Sequence, residues 1–93
     1  MLNSDLVAQS SERMADSLLA RSDADDGQRL ADLYLLVYAR LPADTERTRD
    51  LALLDKFDTA AANQEPDSTK RRRQAWARLC HVLLAANEFI YLN

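Results

Sequence analysis

The chain has almost none of the residues that punctuate a fold: one glycine, Gly27, and two prolines, Pro42 and Pro66, in 93 residues. An all-β domain needs turn residues every few positions, so this scarcity excludes one. The same scarcity excludes a Gly-rich phosphate loop. One cysteine, Cys80, excludes an internal disulfide and leaves the redox compartment unread. One histidine, His81, among many serines and aspartates supports no Ser-His-Asp set. No apolar run approaches the roughly 20 residues that a membrane-crossing helix requires. Met1-Leu2-Asn3-Ser4-Asp5 carries neither the basic nor the apolar stretch of a signal peptide. No sign of charge dominates either: the net charge is −3 with both signs interspersed, which supports solubility and disfavours nucleic acid as a partner.

What remains is helix-forming. Apolar residues make up 47% and charged residues 29%, the composition of one globular domain rather than of a disordered chain. Ala, Leu and Arg are abundant, and each favours the α conformation. The reading is an all-α fold, a compact irregular bundle of about four helices. It spans 1–93 as a single domain or as the C-terminal piece of a larger one.

Apolar spacing places the helices. Leu6, Val7, Ser10, Met14 and Leu18 recur at threes and fours after a cap at Ser4 or Asp5. Residues 21–27 have turn composition, so a second helix begins at about Asp25 or Asp26. Its stripe is Leu30, Leu33, Tyr34 and Val37, widened by Leu36 and Tyr38. The stretch 33–39 is apolar nearly all round and predicts the central helix. Pro42 stops it, because the residue before a proline is pushed out of the α region. The third helix starts at about Ala43 or Asp44 and turns Leu51, Leu54, Phe57 and Ala61 inward. After the loop at Pro66, Ser68 or Thr69 caps a fourth helix with the stripe Trp76, Leu79, Cys80 and Leu83. Asn87 is the residue able to end it in a left-handed conformation. The tail 88–93 either continues the helix or turns extended.

Three segments together resemble a known family. Leu2-Asn3-Ser4-Asp5-Leu6-Val7 is similar to its "LNS-aromatic-V" entry, and the stretch from Leu33-Tyr34 to Arg40-Leu41-Pro42 to its "LY…LGRPP" hinge. The closing stretch, Ala75-Trp76-Ala77-Arg78-Leu79-Cys80-His81 through Asn87-Glu88-Phe89-Ile90-Tyr91, resembles "AWADLCHALLNSNEFLY". The family is a planctomycete-type domain of unknown function, and the chain corresponds to the C-terminal portion of that domain. Repeated helical domains of bacterial surface and secreted proteins share part of the pattern. The resemblance implies a place near the C-terminus of a large exported protein, with cytochrome-c-like and immunoglobulin-like regions upstream, hence a periplasmic or extracytoplasmic location. Three departures bear on the hinge. Ala39 stands where the family has a glycine that ends the second helix, Leu41 replaces the first proline, and Ala43 stands where a threonine would cap the third helix.

Four groups of residues are candidates for function. Cys80-His81 suggests haem, but covalent attachment needs a second cysteine, and Ala77 occupies that position. Adjacent Cys and His point to different faces of a helix, so neither a metal nor any other cofactor is expected. Lys70, Arg71, Arg72 and Arg73 are a cationic run at the positive end of a helix dipole. They form an anion or partner patch, with the acidic segment 23–26 or another chain as the counterpart. Arg40 and Glu88 are expected to form a structural ion pair, or Arg40 a fork on helix C-terminal carbonyls, and Phe89, Ile90 and Tyr91 a partner-facing apolar tail. The expected function is a non-catalytic structural or protein-interaction module, its partner another protein or other domains of a larger one. The alternatives are an accessory part of a redox or carbohydrate-processing enzyme and, more weakly, an anion-binding module.

Overall fold

The computed structural model describes residues 4–92, with side chains over 5–87. Within these bounds the chain forms four helices and no strand: α1 (Ser4–Leu19), α2 (Asp26–Tyr38), α3 (Asp44–Ala61) and α4 (Ser68–Leu92). The radius of gyration is 13.0 Å, that of a folded domain of about 100 residues. None of the helices is long and apolar enough to cross a membrane.

Local chemistry sets the boundaries. Asp25 caps α2: its Oδ1 accepts from the Gln28 N–H at 2.8 Å, and Gln28 Oε1 accepts from the Asp25 N–H at 2.8 Å. This reciprocal box satisfies two amide groups that a helix start otherwise leaves bare. At the other end Ala39 takes the left-handed conformation, φ 57° and ψ 31°, and its N–H donates to the Leu35 carbonyl at 3.2 Å. The chain then reverses through Leu41 and Pro42 into α3. Ala43, the first residue before α3, offers no side-chain acceptor, and only the Glu46 carboxylate returns a bond to its N–H, at 2.9 Å. Asp67, not Ser68 or Thr69, caps α4: its Oδ1 accepts from the Thr69 and Lys70 N–H groups at 2.9 and 3.2 Å. A carboxylate is the stronger acceptor at the positive end of a helix, so it displaces the hydroxyls.

The core is Leu30, Leu33, Tyr34, Val37, Leu54, Trp76, Leu79, Cys80 and Leu83, closed by Ala15 and Leu18 of α1. The expected stripes of α2 and α4 are therefore buried, apart from Tyr38, which is half-buried, and Leu36, which is exposed. The expected central helix is corrected: α2 and α4 each touch all three other helices, but α4 packs far more extensively, above all on α1 and α3, and is the axis of the bundle. α2 is buried on one side only, and Leu35 and Leu36 are 49% and 63% exposed. The α1 stripe is rotated as well. Val7, Ser11, Ala15 and Leu18 face inward, whereas Leu6 is half exposed and Ser10 lies at the edge. Small Ser11 and Ala15 let α1 approach α4 closely, and Ser11 buries its hydroxyl by donating to the Val7 carbonyl at 2.7 Å. The helix continues past Asn87 to Leu92, so the backbone of the tail is helical.

Candidate functional site

The cationic run lies at one end of the bundle, and three of its four members are ion-paired within the chain. Arg71 Nε donates to Asp58 Oδ1 at 2.6 Å, and its Nη1 donates to the Glu65 carbonyl at 3.0 Å. Arg72 reaches two helices. One arm pairs with Asp26 of α2, the other with Asp58 of α3 at 3.2 Å and Asp55 at 3.5 Å. Arg73 Nε donates to Asp16 of α1 at 2.7 Å. α4 thus grips the other three helices through consecutive arginines. Only Lys70 of the run has no ion pair among the described residues.

Asp26 is the joint of this network. It accepts from Arg72, from Arg29 Nη1 at 3.1 Å and from the Trp76 indole N–H at 3.3 Å. Partial burial pushes its pKa up, but the bond and charge of Arg72, with Arg29 and Trp76, hold it below the ordinary carboxylate value. Asp58 is lowered by its bonds to Arg71 and Arg72 against a smaller effect of burial. Asp16 is lowered chiefly by Arg73. Arg29 also braces the turn between α1 and α2, donating to the Leu18 and Arg21 carbonyls.

A second polar cluster lies toward the turn between α2 and α3. The Tyr34 hydroxyl donates to Asp50, and both side chains are buried, at 0% and 1% exposure. Arg49 completes the site from the surface, its Nε 3.0 Å from Asp50 Oδ1 and its Nη2 3.3 Å from the Tyr34 hydroxyl. Burial, then the Asp50 carboxylate, pushes the Tyr34 pKa well above its usual value. Beside it, the Arg40 guanidinium lies over the rings of Tyr34 and Tyr38, 5.5 and 5.4 Å from their centroids. Both terminal nitrogens of Arg40 donate to Glu46, at 2.7 and 2.9 Å. That fork, with the Ala43 N–H, holds Glu46 down at about 2.

The sequence candidates fall out as follows. Arg40 joins two rings and Glu46; the Glu88 side chain expected as its partner lies outside the described residues. So do the side chains of Phe89, Ile90 and Tyr91. Cys80 is fully buried, and burial pushes its thiol up to about 12. His81 is exposed on the opposite side of α4. Among the described residues no group of His, Cys, Asp and Glu could hold a metal ion. Sequence reading missed Asp50, which stands one residue before the apolar Leu51 and shows no signal of burial without its partner Tyr34.

One groove accompanies the turn, a space of about 340 Å3 between the first turns of α2 and α3. Ala31, Leu41 and Pro42 give it an apolar wall, and Asp25, Gln28, Asp44 and Arg47 a mixed polar one. Gly27 lies under the Arg47 guanidinium, where a Cβ would come within 2.5 Å of Nη2. Leu41 is 61% exposed. Compared with family models, curated proteins and solved structures, the chain has no significant match.

Proposed function

We propose that this chain is a non-catalytic structural or protein-interaction module. The observation that carries the reading is the exposure of Leu35, Leu36 and Leu41 around the turn between α2 and α3. Burying such side chains against a partner is worth about 25 cal/mol per Å2 of apolar surface, so large exposed leucines close together in sequence favour association. The polar groups support the same reading from the other side. Arg71 and Arg72 bond Asp26 and Asp58, Arg73 bonds Asp16, and Tyr34, Asp50 and Arg49 bond one another. Groups engaged in this way hold helices together. The resemblance to the planctomycete-type domain adds that the partner is another part of a large exported protein, or a protein bound to it.

A photo-crosslinking amino acid at position 36 or 41, introduced into the protein in its source cells, tests this. Covalent adducts to another polypeptide are expected from both positions and not from position 12, where Glu12 lies exposed on the polar side of α1. Equal yields from all three positions would refute the assignment. Because none of these side chains belongs to the core, Leu36→Ser and Leu41→Ser are expected to change thermal stability by under about 0.5 kcal/mol.

A further inference from the structure

Residues 68–74, the first turns of α4, contain no buried side chain. Apolar anchoring of the helix begins only at Ala75 and Trp76, which are 2% and 0% exposed. Before that point α4 is attached to the other helices by ion pairs: Arg71 to Asp58, Arg72 to Asp26, Asp55 and Asp58, Arg73 to Asp16. We propose that this segment is an acid-released latch, which lets go of α1, α2 and α3 while the apolar core stays packed.

The physical argument has three steps. The charged groups facing the latch are Glu12 and Asp16 on α1, Asp26 and Arg29 on α2, Asp55 and Asp58 on α3, and Asp67, which caps the segment itself. Acid neutralises every carboxylate in that set and none of its cations. Lys70, Arg71, Arg72 and Arg73 then face one another, and Arg29, at the positive end of the α4 dipole with no counter-charge, which favours undocking. A segment without buried apolar contacts opens at a lower free energy than the core behind it. The sign follows from Asp16, Asp26 and Asp58, whose folded pKa values are depressed. Their contribution is complete above the ordinary aspartate value and is lost as pH falls through the folded values, so the latch opens below about pH 4.

Trp76, the only tryptophan, reports the event directly. Its indole N–H donates to Asp26, the carboxylate that also holds Arg72, so release of the latch admits water beside the ring. The experiment is an acid titration of the whole chain followed by tryptophan emission and by helical circular dichroism. Emission is expected to shift to the red at a higher pH than the loss of most helical signal. Asp26→Asn is expected to move the emission change alone to higher pH. Coincident transitions of the two signals in the unaltered chain would overturn the latch, because the bundle would then unfold as one unit. The unaltered chain decides the matter even if the variant does not fold.

Discussion

Ala39 is the residue whose backbone and side chain disagree most. A left-handed conformation costs an L-residue about 1–2 kcal/mol relative to its preferred regions, and glycine is free of that cost. Ala39→Gly therefore relieves strain, offset by about 0.4–1 kcal/mol of extra entropy in the unfolded chain. The expected net effect is a gain of about 0.5 kcal/mol, read as an increase of about 2–4 °C in Tm. Pro42 made the end of α2 visible in the sequence, but the strain at Ala39 was visible only by comparison with the glycine of a family that the sequence resembles. The pair Tyr34 and Asp50 was not legible at all. A tyrosine at a core position and an aspartate among leucines are each ordinary, and only their meeting across 16 positions makes the aspartate tolerable inside. Asp50→Ala leaves a buried hydroxyl and part of Arg49 without an acceptor and is expected to cost about 3 kcal/mol. Tyr34→Phe with Asp50→Leu is expected to cost less than the sum of the single changes, measured by urea denaturation in a double-mutant cycle. Glu46 contributes on the acid side. Its folded pKa of about 2 lies below the ordinary 4.5, so its stabilisation is present above pH 4.5 and is lost as pH falls towards 2. Glu46→Gln is expected to flatten the slope of Tm against pH in that window.

At the scale of elements, the periodicity of α2 and α4 was sufficient because their inward positions are large and apolar. The rotation of α1 shows where that signal runs out. Ser11 and Ala15 carry little hydrophobicity, yet they are buried at 1% and 0% exposure because the closest helix contacts need small side chains. Apolar size pointed instead to Leu6, which is half exposed. The role of α4 was hidden for a similar reason. Its first turns are cationic, and the charges that dock them come from three other helices far away in sequence. The run's acidic counterpart was expected in the segment 23–26 or in another chain, and Asp26 fills part of that role; Asp16, Asp55 and Asp58 were not legible from local pattern. Among the arginines, Arg72 bridges two helices from a half-buried position, whereas Arg73 and Asp16 are 43% and 56% exposed. Arg72→Ala is expected to cost about 1.5 kcal/mol by denaturant melting, and Arg73→Ala clearly less.

For the whole molecule, composition alone was enough to establish the fold class, since few turn residues and abundant helix formers leave little else. Composition could not assign the charges. A net charge of −3 describes the chain from far away. Close up, one end of the bundle is a lattice of alternating arginine and aspartate, the other a pair of tyrosines beneath Arg40, and exposed leucines flank the turn between α2 and α3.

Cys80 has a further consequence. Its sulfur lies at the centre of α4, wholly enclosed by the other helices, with a thiol pushed up to about 12. An alkylating reagent at neutral pH can reach it only when the helices packed around it separate. The protein therefore contains its own clock: under fast alkylation, the rate of Cys80 modification is the rate at which the helices around it separate.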